Sequence, residues 1–312
     1  MSPAPVPGRA EIAAAARRIA GRLRRTPVIE ADTPVGPVLL KLETLQHTGA
    51  FKARGAMAAL TGAEVPPAGV VAASGGNHGA AVAFAARALG LPATVFVPEI
   101  ASPSKIAHIR AAGAEIVIGG ARYADAAEAA ARHREATGAL DVPAFDGFLT
   151  VAGQGTLAME FEAQAAPFGG LDAVLVAVGG GGLIAGTQGW LSGAAKVVGV
   201  ETEGCAALHA ALAAGAPTDV EVSGLAADSL GARRLGALPF AMIAGKVESV
   251  LVTDDDVREA QRRLWRELRV AAEPGGAAAF AALLSGAWTP PAGARVGVVL
   301  CGANLDPADL SD

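Results

Sequence analysis

The sequence predicts an α/β fold built from two parallel sheets, and three observations point there. Short apolar runs alternate with alanine-rich helical stretches along the chain, and the composition is 52% apolar but only 4% aromatic. Strands separated by helical crossovers make parallel sheets covered on both faces. A core this poor in aromatics must be built from small side chains packed closely.

Each element has its own signal. Ile12, Ala16, Ile19 and Leu23 recur at helical spacing, predicting a helix from Ala10 to Arg24 that Thr26-Pro27 ends. Val70 to Ala73, Thr94 to Val97, Glu115 to Ile118 and Leu140 to Phe145 read as buried strands. Between them lie three helices. His78 to Leu89 is closed by Gly90 and Pro92, a second opens at Ser102-Pro103 with an N-cap and proline at N1, and Tyr123 to Thr137 stops at Gly138. The second half repeats the rhythm: strands Ala173 to Val178 and Lys196 to Glu201, each followed by a helix, then a last strand Val296 to Leu300. Two units are expected, a smaller one (61–145) inserted in a larger one (1–60 and 146–312). Ligands of open α/β sheets bind at the carboxyl ends of the strands, where the polar and glycine-rich segments of this chain fall.

Composition excludes several classes. A net charge of −5 without a long basic run leaves no electrostatic footprint for nucleic acid, and Arg22, Arg24 and Arg25 read as a solvated helix end. The two cysteines, Cys205 and Cys301, are far apart, which argues against a disulfide framework and for a reducing cytoplasm. The proline-rich start, Met1 to Gly8, lacks a hydrophobic signal core, and the apolar runs are too short to cross a bilayer.

Four segments carry chemistry. Strand Ala173 to Val178 runs into Gly179-Gly180-Gly181-Gly182 and a helix opening at Leu183. Inward backbone N–H groups and a helix N-terminus suit a phosphate. Gly180, Gly182 and Ala185 also satisfy a relaxed dinucleotide fingerprint, with Glu201 about twenty residues on as a ribose-binding acid. Lys52, a residue type usually solvated at the surface, stands between Phe51 and small residues; if partly desolvated there, its amine has a lowered pKa and can condense with an aldehyde. Ser74-Gly75-Gly76-Asn77-His78-Gly79 offers polar donors on a glycine turn to an anion such as a carboxylate, or else Ser74 or Asn77 caps the next helix. Cys301-Gly302-Ala303-Asn304 alone would be a buried thiol and a turn. Four further histidines, His47, His108, His133 and His209, show no zinc-ligand spacing.

Together, and in this order, Phe51-Lys-x-Arg-Gly-Ala56, the Ser74 to Gly79 loop, the glycine run, Glu273-Pro274 and Cys301-Gly-x-Asn304 resemble the serine/threonine dehydratase family. Those are fold-type II pyridoxal-phosphate (PLP) enzymes, tryptophan synthase β-like. Gly153-Gln154-Gly155-Thr156 and Glu160 also look like that family's helix start after the inserted domain. The resemblance covers nearly the whole chain, and it disfavours the nicotinamide reading, which leaves Lys52 and Asn77 unexplained.

The resemblance implies roles. Lys52 would hold PLP as a Schiff base and take the substrate's Cα proton, and Phe51 would pack beside the ring. Asn77 would bond the ring's 3′ oxygen, Cys301 would face the pyridine nitrogen, and Glu273 would lie near the ring without moving protons. Gly179 to Gly182, with Leu183, would cradle the phosphate. Ser74, Gly75, Gly76, Asn77 and His78 would hold the substrate carboxylate, and the Asp228 loop would close over the β-substituent. A neutral thiol at the nitrogen sustains less ring charge than a carboxylate would, favouring expulsion of a β-hydroxyl. The expected reaction is dehydration and deamination of L-threonine or L-serine, with another hydroxy-amino acid such as 3-hydroxyaspartate or phenylserine, or β-replacement, as alternatives. Ala50 replaces the family's usual serine. Gly75 replaces the second serine of racemising relatives, so racemisation is disfavoured. Ala207 replaces one acid of the cation site that some relatives form with a glutamate like Glu201, so no metal is expected. The family implies a homodimer. The chain ends at Asp312 without room for a regulatory domain, so no inhibition by isoleucine is expected.

Overall fold

Two sheets form, and their carboxyl ends face one cleft; the computed structural model describes residues 5–306, so part of the proline-rich Met1 to Gly8 segment lies outside them. Helix α1 (Arg9–Ile19) buries Ile12, Ala15 and Ile19. It stops short of Arg24 because Gly21 turns the chain at a φ of 73°, a conformation open to glycine. An antiparallel hairpin, β1 (Val28–Thr33) and β2 (Gly36–Leu42), follows, and two short 3-10 turns lead from it into α2 (Lys52–Gly62). The sequence pattern gives no element for this hairpin.

The smaller sheet collects β3 (Val70–Ala73), β4 (Ala93–Val97), β5 (Glu115–Ile118) and β6 (Leu140–Asp141) in the order β5-β4-β3-β6, all parallel. Helices α3 (Asn77–Leu89), α4 (Pro103–Ala112) and α5 (Tyr123–Thr137) cross between them. Ser102 caps α4 by accepting from the Lys105 N–H. The expected strand to Phe145 ends at Asp141, with one more backbone bond from Val142 N to Val71 O. Pro143 has no N–H to continue the ladder.

After α6 (Phe148–Ala165), the larger sheet adds β7 (Ala173–Ala177), β8 (Lys196–Thr202), β9 (Glu248–Val252) and β10 (Val296–Leu300) to the hairpin, in the order β1-β2-β10-β7-β8-β9. It is parallel except for edge strand β1. Helices α7 (Gly182–Leu191), α8 (Ala207–Ala214), α9 (Ala227–Leu230), α10 (Ala237–Ile243), α11 (Asp254–Leu268) and α12 (Pro274–Leu284) complete it. Gly153 to Thr156 lie inside α6 rather than at its start. There Gly155 meets Gly186 of α7, and a Cβ on either would strike the other helix's backbone. The small residues therefore set the helix spacing.

A buried ionic cluster fixes the start of α2. Arg54 grips Glu43 with two hydrogen bonds of 2.7 and 2.8 Å and reaches Glu160 of α6 at 3.2 Å, while fully buried Lys41 bonds Glu160, Gln164 and the Thr26 carbonyl. Two cations face two carboxylates, so no charge is left uncompensated. Arg54 lies two residues past Lys52, so the cluster pins the turn that carries it.

Candidate active site

The site begins where β2 ends. Through the 3-10 turns the backbone reaches Thr48, which adopts φ 62° and ψ 15°, a left-handed conformation costly for a β-branched residue. Phe51 then donates its N–H to the Cys301 carbonyl at 3.0 Å, which lays the lysine segment against the turn after β10. Lys52 is the first residue of α2, half-buried, with Nζ 2.9 Å from the Ala144 carbonyl and 5.1 Å from the Phe51 ring centroid. Desolvation lowers its pKa to about 8, offset in part by the Glu273 carboxylate. An amine so tuned is available as a base near neutral pH.

Around Lys52 the structure gathers the other segments. In the turn after β7, Gly181 has φ 89°, a Cβ on Gly180 would collide with Phe145, and one on Gly182 would crowd it at 3.0 Å. The N–H groups of Gly182, Leu183 and Ile184 precede the first hydrogen bond of α7, from Ala185 N to Gly181 O, so the loop and the helix dipole face an open cradle. Cys301 is buried and directs Sγ to the Gly275 carbonyl at 3.4 Å, and burial pushes its thiol pKa far up, so it stays neutral. Glu273, at the start of α12, accepts from Asn77 Nδ2 at 2.6 Å, and burial raises its pKa to about 7. It follows α11 and its exit turn, so it does not stand at a strand's carboxyl end as the other segments do.

The loop after β3 closes the opposite side. Ser74 Oγ accepts from the Gly76 N–H at 3.2 Å, and neither Ser74 nor Asn77 caps α3, whose N-cap is Gly76. That loop is thus not explained as a cap. His78 Nε2 lies 2.8 Å from the Val142 carbonyl and must donate to it; burial, and then Lys52, lower its pKa to about 3. A Cβ on Gly75 would come within 2.9 Å of Ala101 Cβ, so no side chain fits there without movement. Asp228 is exposed and pairs with Lys105 of α4 at 2.8 Å, across a cleft of about 790 Å³ that Gly76, Asn77, Glu273, Pro274 and Asn304 also line. Lys105, His108, Ser229 and Asn304 join this cleft although the sequence pattern gives them no role; only Asn304 carries a signal, as the last residue of the Cys-Gly-x-Asn segment.

Glu201 is elsewhere engaged. Fully buried, it accepts from the Leu208 and His209 N–H groups at 2.6 and 2.9 Å, capping α8. It is closed to a ribose, and the nicotinamide reading fails on this point. Among the described residues no group of three or more His, Cys, Asp and Glu could hold a metal ion.

A parallel α/β frame with a desolvated lysine facing a glycine cradle defines an enzyme class that uses a phosphorylated aldehyde. The family model described as pyridoxal-phosphate dependent enzyme matches residues 19–302, and the chain belongs to that family. It is 39% identical over 316 residues to a phenylserine dehydratase of Ralstonia pickettii, covering 98% of this chain and 96% of the relative. It is 37% identical over 304 residues to an L-threonine ammonia-lyase of Geobacter sulfurreducens, covering 94% and 75%. The crystal structure of the T.th. threonine deaminase superposes with a TM-score of 0.89 at 37% identity over 96% of this chain and 99% of that one. Maize serine racemase gives 0.91 at 29% identity, covering 98% and 96%. The residues present fit PLP: a desolvated amine for the aldehyde and a cradle without side chains for the phosphate. No described helix is long and apolar enough to cross a membrane.

Proposed function

We propose that the chain is a PLP-dependent dehydratase converting L-threonine, L-serine or both to a 2-oxo acid and ammonium. The observation that carries this is Lys52, its pKa lowered to about 8, opposite a neutral Cys301. Bound PLP supplies an electron sink for the substrate's Cα. Lys52 would hold the cofactor, and its free amine would take the substrate's Cα proton. Gly179 to Gly182 and Leu183 hold the phosphate, and Phe51 and Asn77 hold the ring. Cys301, a neutral thiol, would give the ring nitrogen no countercharge, which would favour loss of the β-hydroxyl over storage of electrons in the ring. Ser74 to His78 hold the substrate carboxylate, and the Asp228–Lys105 pair covers the β-substituent. The division into 1–60 with 146–312, and 61–145, is part of this reading, supported by the two sheets. So are a cytoplasmic homodimer, resting on family resemblance, and elimination in preference to racemisation, resting on Gly75, which has no hydroxyl to protonate the opposite face and no room for one without movement.

A second reading, an aryl-bearing hydroxy-amino acid, is favoured by the phenylserine dehydratase match and by apolar Leu225, Leu305 and Pro274 in the cleft. Release of 2-oxo acid with PLP is measured for L-threonine, L-serine, L-threo-phenylserine, 3-hydroxyaspartate and the D-isomers. Threonine or serine as best substrate supports the first reading, and phenylserine the second. A yellow protein silent on every substrate overturns both and points to β-replacement.

A further inference from the structure

Asn304 lies in the turn after β10 and donates both hydrogens of Nδ2, to the Thr48 carbonyl at 2.8 Å and to Asn77 Oδ1 at 2.6 Å. Asn77 in turn donates Nδ2 to Glu273 at 2.6 Å. His108 Nε2 approaches the same Thr48 carbonyl at 3.2 Å. The oxygen and nitrogen of an amide differ only in what they can bond, so partners set the orientation. A backbone carbonyl can only accept. Thr48 O therefore demands the nitrogen of Asn304. With that nitrogen between them, Asn77 must present its oxygen, and its own nitrogen is turned to Glu273. The starting point is rigid: Thr48 is held in a left-handed conformation, and Gly49 leaves no Cβ to obstruct Asn304, since one would come 2.5 Å from Oδ1. The chain of bonds crosses from the larger sheet's turn to the loop after β3.

We propose that Asn304 is a positioning residue that reads its orientation from the Thr48 carbonyl and thereby fixes the Asn77 amide with its nitrogen toward the cofactor ring. The inference rests on the PLP reading above. An oxygen of the ring that carries negative charge accepts hydrogen bonds, and Asn77 meets it as a donor only in this orientation. Asn304→Asp keeps the shape but replaces the donor with an acceptor. The introduced carboxylate then repels Thr48 O and draws the Asn77 nitrogen to itself, turning the Asn77 oxygen onto the ring. Asn304→Ala merely releases Asn77 to either orientation.

The full-length protein and both variants are stripped of cofactor and titrated with PLP, following affinity and the visible absorption band, with melting of each apoprotein as the folding check. Loss of a hydrogen bond to a charged group weakens binding roughly tenfold to a hundredfold. The expected order is wild type tightest, Asn304→Ala intermediate, and Asn304→Asp weakest with its band moved to shorter wavelength. A purely structural clamp predicts the opposite, the isosteric Asp tolerated better than Ala. That order, or an Asn304→Asp protein with wild-type affinity and spectrum, overturns the proposal. A wild-type protein that binds no PLP overturns the functional reading instead.

Discussion

The two halves that meet at the cleft are packed differently. In the larger sheet β7 and β10 are buried at every residue, and one continuous core runs from α1 to the end of β10. The smaller unit joins that core through Val70 and Ala72 of β3 and Val82 of α3, but the rest of its sheet's faces carry two separate clusters, around Val71 and Phe96 and around Val95 and Ile109. Its edge strand β5 leaves Glu115, Val117 and Ile118 exposed. Lys52, the glycine cradle, Glu273 and Cys301 belong to the dense half, and the Ser74 to His78 loop to the thin one. Polar contacts join them across the cleft: Lys105 to Asp228, His108 to Thr48, and Asn77 to Glu273 and Asn304. A thinly packed unit opens at lower cost than the global unfolding energy. In the proposed reading most of the groups for the cofactor are thus placed where packing holds them, with Asn77 reaching over from the thin half, and the groups for the substrate where closure can follow binding.

The largest expected effect tests the dense half by chemistry alone. Lys52→Ala should abolish the visible band of the bound cofactor and lower turnover at least about a thousandfold, while the apoprotein melts near or above wild type because a desolvated amine has gone. An active, coloured variant would move the site elsewhere. Arg54→Ala breaks the same half by packing and charge. It strands Glu43 in the interior and should cost about 3–5 kcal/mol in denaturant unfolding. A loss below about 1 kcal/mol would mean that the cluster only fills space.

A smaller effect concerns Glu201, whose burial raises its pKa to about 8 against the pull of the α8 N–H groups. The folded state then holds a proton that the unfolded chain releases near pH 4.5, so the contribution to stability is complete below that pH and is lost as pH rises toward 8. Across that window Glu201→Gln should gain on wild type by up to about 1.4 kcal/mol per pH unit. Parallel stability curves between about pH 5 and 8 would show that Glu201 stays ionised. The smallest effect sharpens the contrast from the thin side. Lys105→Ala removes an exposed ion pair and should change stability by less than about 1 kcal/mol. Its expected signature is a several-fold higher KM with cofactor affinity unchanged, together with faster amide exchange in β3 to α4. An unchanged KM and exchange would deny the pair any part in closure.

Much of this was legible in the chain. Val70–Ala73, Glu115–Ile118, Tyr123–Thr137 and Val296–Leu300 lie where apolar period and turn residues put them. The hairpin β1–β2 was not legible because its strands lack clean alternation: β2 is buried from Val38 to Leu42, with Lys41 in the run. Lys41 looks like a surface residue until Glu160, more than a hundred positions later, is found beside it. The overlong reading at Phe145 failed for the opposite reason. The apolar run continues there, but Pro143 ends the pairing and the chain turns to bring Ala144 against Lys52.

By itself the sequence determined the alternation of strands and helices and the glycine turn suited to a phosphate, because these depend on residues adjacent along the chain; Lys52 was singled out only by the order of distant segments that resemble one family. Tertiary structure alone decided that Glu201 caps a helix instead of facing a ligand. It also decided that Asp228 reaches Lys105, and that the Asn77 amide takes its direction from a carbonyl at Thr48 through Asn304. Hydrogen bonds and ion pairs between segments far apart in sequence leave no period or spacing to read. They exist only when packing brings a donor within about 3 Å of its acceptor.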